Sequence, residues 1–209
     1  MGSQAGWPAA LAKVISKVMN PFALSVVLLL LVAYAESNNL EALLKWVVLI
    51  LLFLVVLPLA YVYVRPAVRK SGIKRMEDPV TFFRQHRREI FVVGIISAVP
   101  CILLLIFLKA PSLLLAALVA LLTTSLGVAL VNRYFRASYH LATITNLIIV
   151  VTFIWGQTFL PVLVVVPLVG WARYSLKQHS PTQLAAGFGL SAIIAPAILY
   201  AFRLVGNVV

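Results

Sequence analysis

Apolar stretches long enough to cross a bilayer follow one another along almost the whole chain. They run near Val18–Ala35, Leu43–Val64, Ile90–Leu108, Ser112–Val131, Leu141–Gly156, Phe159–Trp171 and Leu184–Leu204. A helix of roughly 17–25 apolar residues spans the hydrocarbon core of a membrane, and backbone groups in lipid must be satisfied within the segment. Charged residues are 11% of the chain and apolar ones 63%, with a mean hydropathy of +1.08. Soluble domains carry about a quarter charged residues, so this pattern excludes them. The expected fold is an all-α polytopic transmembrane bundle of about six to seven spans. Its fifth and sixth runs form a hairpin over Gln157-Thr158. Pro58, Pro100, Pro161, Pro167 and Pro196 fall within or beside spans, where neighbouring helices tolerate kinks.

The boundaries divide the chain into an interfacial amphipathic segment (1–20), two N-terminal transmembrane helices (21–64), a basic loop (65–89) and a helical core (90–209). Leu11, Val14, Ile15 and Val18 stand at helical spacing beside Lys13 and Lys17, which is the pattern of a helix lying in the membrane surface. Lys13 and Lys17, then Phe22 to Val32, then Ala33-Tyr34-Ala35 also imitate a secretory signal, but the segment reads as an anchor helix.

The formal net charge is +12, from 17 Lys and Arg against five acids. Among apolar spans this excess favours contact with anionic lipid headgroups or an anionic substrate over nucleic acid. Asp78 is the sole aspartate, which argues against magnesium held by paired Asp-rich motifs, and the single cysteine, Cys101, excludes an internal disulfide. With seven crossings, fourteen of the Lys and Arg residues lie on one face and Lys45, Lys109 and Arg203 on the other. Positive residues favour the cytoplasmic side, so that face is expected to be cytoplasmic, in an inner or plasma membrane.

Three Arg/His groups stand at span edges on this face: Arg84-Gln85-His86-Arg87-Arg88, Arg136 with Ser138-Tyr139-His140, and Arg173 with His179. Arginine beside a bilayer is costly and marks function by default. Its planar fork clamps phosphate, and histidine serves as nucleophile or proton carrier near neutral pH. Each group has a plainer reading. Arg84, Arg87 and Arg88 also fit as positive-inside anchors, Arg136 as a headgroup contact, His86 as a solvated side chain, and either of the other histidines as an interfacial residue. Trp171 and Tyr174 match an interfacial aromatic belt.

The run Arg173-x5-His179-x3-Gln183, followed by Ala185-Ala186-Gly187, resembles the third signature of the type 2 phosphatidic acid phosphatase superfamily, S-R-x5-H-x3-D. That superfamily includes membrane lipid phosphatases and the vanadium haloperoxidases. Ala137-Ser138-Tyr139-His140 resembles its second signature, P-S-G-H, with Pro and Gly replaced. The first, K-x6-R-P, is met only by the basic residues Arg84, Arg87 and Arg88, since Thr81 stands seven before Arg88. The resemblance covers roughly Thr81 to Leu204.

It implies a phosphatase that needs no metal or other cofactor and acts on an amphiphilic phosphorylated lipid, such as phosphatidate, phosphatidylglycerol phosphate or a polyprenyl diphosphate. His179 would attack phosphorus and His140 would protonate the leaving oxygen. Arg173 and one or two of Arg84, Arg87 and Arg88 would neutralise the phosphate oxygens, and Ser138 would add a hydrogen bond; Arg136, four residues before His140, is a further candidate phosphate contact from its own spacing. Gln183 stands where the family has Asp: it still accepts the ring N–H of the nucleophile but carries no charge. The resemblance therefore leaves open a phosphatase, slowed or tolerant of this swap, or a catalytically silent lipid-phosphate binder or transporter. A b-type haem protein with His140 and His179 as axial ligands is a third reading, and nothing in the basic surroundings favours it. Oligomeric state is not legible in the sequence.

Overall fold

Asn20-Pro21 is where the first apolar stretch breaks. The Asn20 side chain accepts the backbone N–H groups of Phe22 (2.9 Å) and Ala23 (3.4 Å), and its carbonyl accepts that of Leu24 (2.9 Å). Asn at the N-cap with Pro at the next position starts a new helix without an orphaned donor. The chain thus forms α1 (Trp7–Val18) and α2 (Pro21–Glu36), bent by 49° to one another. The computed structural model describes residues 7–61 and 87–206, and among these it is helical with no strand.

After α2, Asn39 caps α3 (Leu40–Tyr61) by accepting from the Ala42 N–H at 2.8 Å, and Leu52–Val56 makes a wider π turn within it. The remaining helices are α4 (Arg87–Phe107), α5 (Ser112–Val131), α6 (Tyr139–Trp155), α7 (Val165–Ser175) and α8 (Pro181–Gly206). Gly156, at φ 81°, ends α6 in a conformation that side chains disfavour, and a 3₁₀ helix (Gln157–Val164) leads into α7.

Four helical stretches are long and apolar enough to cross a membrane: Leu40–Tyr61, Ser112–Val131, Gln157–Ser175 and Pro181–Leu204. The bent pair α1 and α2 makes a fifth if counted as one span. Val92–Phe107 and Tyr139–Trp155 are apolar but shorter. Length and composition thus give four to five spans, fewer than the six to seven expected. The hairpin expected between the fifth and sixth runs is a helix end at Gly156 followed by 3₁₀ structure.

The chain divides into two compact units, one of residues 1–36 and 111–209, the other of 37–110. In this grouping α2 belongs with α5–α8, while α3 and α4 form the second unit. The basic loop falls largely outside the described residues. In the second unit α4 packs against the π turn of α3, and Ala98, Cys101 and Leu105 are buried.

In the first unit α8 packs on both α5 and α6, and α2 packs on the same two helices. One apolar cluster joins Leu141, Ile144 and Ile148 of α6 to Val166 and Val169 of α7 and Leu184 of α8, with Ile15 and Met19 packed on it. A second joins Val128 of α5 to Ala137 and Ala142. Lipid offers no hydrophobic drive between helices, so close approach through small residues carries the association. Thr124, Asn146 and Ser191 are fully or almost fully buried, each on one of these three packed helices.

Candidate functional site

Helix α7 ends in a Schellman turn. The Gln178 N–H reaches back to the Arg173 carbonyl (3.1 Å) and the Lys177 N–H to the Tyr174 carbonyl (2.8 Å), with Lys177 at φ 53°. The turn reverses the chain immediately after Arg173 and delivers His179 at the start of the next element. There Ser180-Pro181-Thr182-Gln183 forms a capping box. The Gln183 N–H donates to Ser180 Oγ (3.3 Å), and the Ser180 N–H donates to Gln183 Oε1 (3.1 Å). Pro181 occupies the first helical position, where its missing N–H costs nothing.

The same Gln183 oxygen lies 3.3 Å from His179 Nδ1. An amide oxygen only accepts, so a neutral ring making this bond carries its proton on Nδ1 and its lone pair on Nε2. A hydrogen bond to the Arg136 backbone favours the protonated ring, in which both nitrogens donate. Burial, then the neighbouring Arg173 guanidinium, hold the His179 pKa below the usual histidine range, and the hydrogen bonds to Gln183 and Arg136 only partly offset this. His179 is therefore a neutral base at physiological pH.

Ser138 joins the two halves of the site. Its N–H donates to the Gln183 carbonyl (3.0 Å), and its hydroxyl caps α6 by accepting from the Leu141 N–H (3.5 Å). Gly187 makes this junction possible, because a Cβ there would overlap the Ser138 carbonyl oxygen. The α8 backbone thus lies directly against the N-terminus of α6. His140, in the first turn of α6, hydrogen-bonds the Ser16 backbone and stands within electrostatic reach of Arg173 and His179.

Arg173 is half-buried. Its Nη1 donates to Ser16 Oγ at 2.7 Å, while its Nε is buried and has no partner among the described residues. A charged donor buried without an acceptor costs more than the about 1–3 kcal/mol of a neutral one. Tyr174, Ser175, Lys177, His179 and Ser180 line an adjoining cleft of about 400 Å³. Among the described residues no three His, Cys, Asp or Glu side chains gather as metal ligands.

The fold therefore brings together Arg136, His140, Arg173, His179 and Gln183 from the sequence-derived set. Ser138 is close by with 0% exposure: its hydroxyl caps a helix and its backbone braces the site. Arg84 lies outside the described residues, and Arg87 and Arg88 begin α4 in the second unit, with their side chains outside what the structure describes. Two contributors escaped the sequence reading. Ser180 was legible as the first residue of an S-x-x-Q capping box. Ser16 carries no such signal. No protein-family model matches the chain, and no curated protein or solved structure matches it significantly.

Proposed function

We propose that the protein is an integral membrane phosphatase that hydrolyses a lipid phosphate or diphosphate through a phosphohistidine. The observation that carries this reading is the gathering of His140, His179 and a guanidinium with a free buried donor, with His179 oriented through Nδ1. His179 Nε2 attacks phosphorus while the bond to the lipid oxygen breaks, and that oxygen takes a proton from the imidazolium form of His140, which the negative charge of the bound phosphate stabilises. A water then loses a proton to His140 and displaces His179, releasing phosphate and restoring both rings. Arg173 and Arg136 neutralise the phosphate oxygens, where the low-dielectric boundary strengthens each contact. The divergent resemblance to the type 2 phosphatidic acid phosphatase superfamily supports the same assignment.

Gln183 orients the nucleophile but gives the imidazolium no counter-charge, which favours slow turnover; a silent lipid-phosphate binder is the alternative. Counting α4 and α6 as crossings brings the spans to seven. Lys13, Lys17, Arg133, Arg136, Arg173 and Lys177 crowd the site end of the first unit, against Arg203 near the far end of α8. By the positive-inside rule the site then faces the cytoplasm of an inner or plasma membrane.

The test is phosphate release from phosphatidate, phosphatidylglycerol phosphate and polyprenyl diphosphate in detergent with EDTA, comparing the wild type with His179→Ala. Release that survives chelation and disappears in the variant is expected. Binding of these lipids without any release would replace the phosphatase with the silent binder.

A further inference from the structure

The N-terminal helix touches the site as well as the membrane. On α1, Trp7, Leu11, Val14 and Val18 recur at steps of four, three and four, forming one apolar stripe, and all four are exposed, Trp7 to 79%. Lys13 and Lys17 flank the stripe and are also exposed. Ser16 lies nine positions after Trp7, which at about 100° per residue is the opposite side of the helix. On that inward side Ala12 is fully buried, and Ile15 and Met19 pack on the apolar cluster shared by α6, α7 and α8. One helix thus carries an outward apolar face with a basic flank and an inward face that ends in a hydroxyl.

The hydroxyl is placed to act on the site. Ser16 Oγ accepts Arg173 Nη1 at 2.7 Å across 157 residues of sequence, and the Ser16 backbone hydrogen-bonds the His140 ring. A guanidinium is planar, so fixing one Nη by a hydrogen bond restricts rotation of the whole fork, including the unpartnered Nε. Without that bond Arg173 would exchange among the rotamers of a long side chain and lose them again on meeting an anion. Holding a charged donor in advance is what electrostatic catalysis requires.

We infer that Ser16 is a positioning residue of the phosphate site, and that α1 is a strap held by an anionic lipid surface so that site geometry depends on the membrane. The inference rests on the phosphatase reading for its kinetic test but not for its binding test. The occupant of the outer face is a lipid surface: the apolar stripe matches the acyl boundary, and the two lysines match anionic headgroups.

The experiment uses the full chain in vesicles of phosphatidylglycerol and phosphatidylcholine. Ser16→Ala should lower kcat by about tenfold or more, the loss of one hydrogen bond to a charged group, with less change in KM and an unchanged thermal midpoint. Ser16→Thr, which keeps the hydroxyl, should restore most of it. Val14→Asp, on the lipid-facing stripe, should lower kcat as well, and the double variant with Ser16→Ala should be no worse than the poorer single variant. Wild-type kcat in Ser16→Ala overturns the positioning role, and additive losses overturn the strap. If the wild type releases no phosphate from any lipid, the phosphatase reading fails on its own. Orthovanadate binding then decides this one, since Ser16→Ala must weaken it and Ser16→Thr must not; equal binding by both variants and wild type overturns it.

Discussion

Helix α4 runs out at Lys109 and helix α7 at Lys177, each with the lysine in the left-handed region, at φ 54° and 53°. In α4 the Ala110 N–H returns to the Leu105 carbonyl (2.9 Å) and the Lys109 N–H to Ile106 (3.0 Å); α7 repeats the pattern with Gln178 and Lys177. After the first turn come Ala110-Pro111 and another apolar helix; after the second come His179 and a capping box whose glutamine holds the imidazole. The backbone device is generic, and the chemistry comes from what it hands the chain to. In α7 the turn also sets Arg173 beside the histidine it delivers, whereas no arginine or histidine stands in the last turn of α4.

The strongest way to break this comparison is at the residue after the turn. His179→Ala should reduce phosphate release by about a thousandfold or more, while Lys109→Ala should leave it within about twofold, in the EDTA assay above. Next in size is the junction that braces the α7 side. Gly187→Ala forces a methyl onto the Ser138 carbonyl and should cost about 1–3 kcal/mol or more, read as a lower thermal midpoint in detergent. Gly189→Ala, with nothing within 4 Å, should be neutral or slightly stabilising in the same measurement.

A third prediction concerns pH. In the proposed mechanism only neutral His179 attacks, so the acid limb of kcat/KM should follow its pKa, which lies below the ordinary value of 6.5. Gln183→Glu keeps the capping box and adds a negative charge that favours the imidazolium, so it should move that limb to higher pH. Arg173→Gln removes a repelling charge and should move the His179 titration the same way, as followed by ¹⁵N NMR of labelled histidine. The smallest effect belongs to the turns themselves. Lys177→Gly and Lys109→Gly each relieve a left-handed side chain and should raise stability by up to about 1 kcal/mol, with little change in turnover for the Lys109 variant.

How far the sequence reveals this arrangement depends on the range of the interaction. The span Ser112–Val131 is legible to the residue, because Pro111 and Asn132 mark its ends. The amphipathic α1 is legible from its stripe and lysines, and the Arg173–His179–Gln183 group from its spacing. The Asn20-Pro21 break, local as it is, starts helix α2 at Pro21, three residues after the Val18 at which the first apolar run was placed. The assignment of α4 to α3 rather than to the core was not legible, since uniformly apolar helices carry little orientation in their pattern. Ser138 was read for its hydroxyl, whereas its backbone contact with Gly187 depends on a helix 49 residues later. Ser16 was hidden for the same reason: nothing near it in sequence distinguishes it from any serine on an amphipathic helix.

The contact between Gly187 and Ser138 has a consequence for how such a site can drift. The segments carrying His140 and His179 meet main chain to main chain, through the Ser138 N–H on the Gln183 carbonyl and the glycine seated beside it. Their separation is therefore set without reference to the side chain at position 183. The side chain at 183 can therefore change while this main-chain contact is kept, whereas any side chain at Gly187 would break the contact itself.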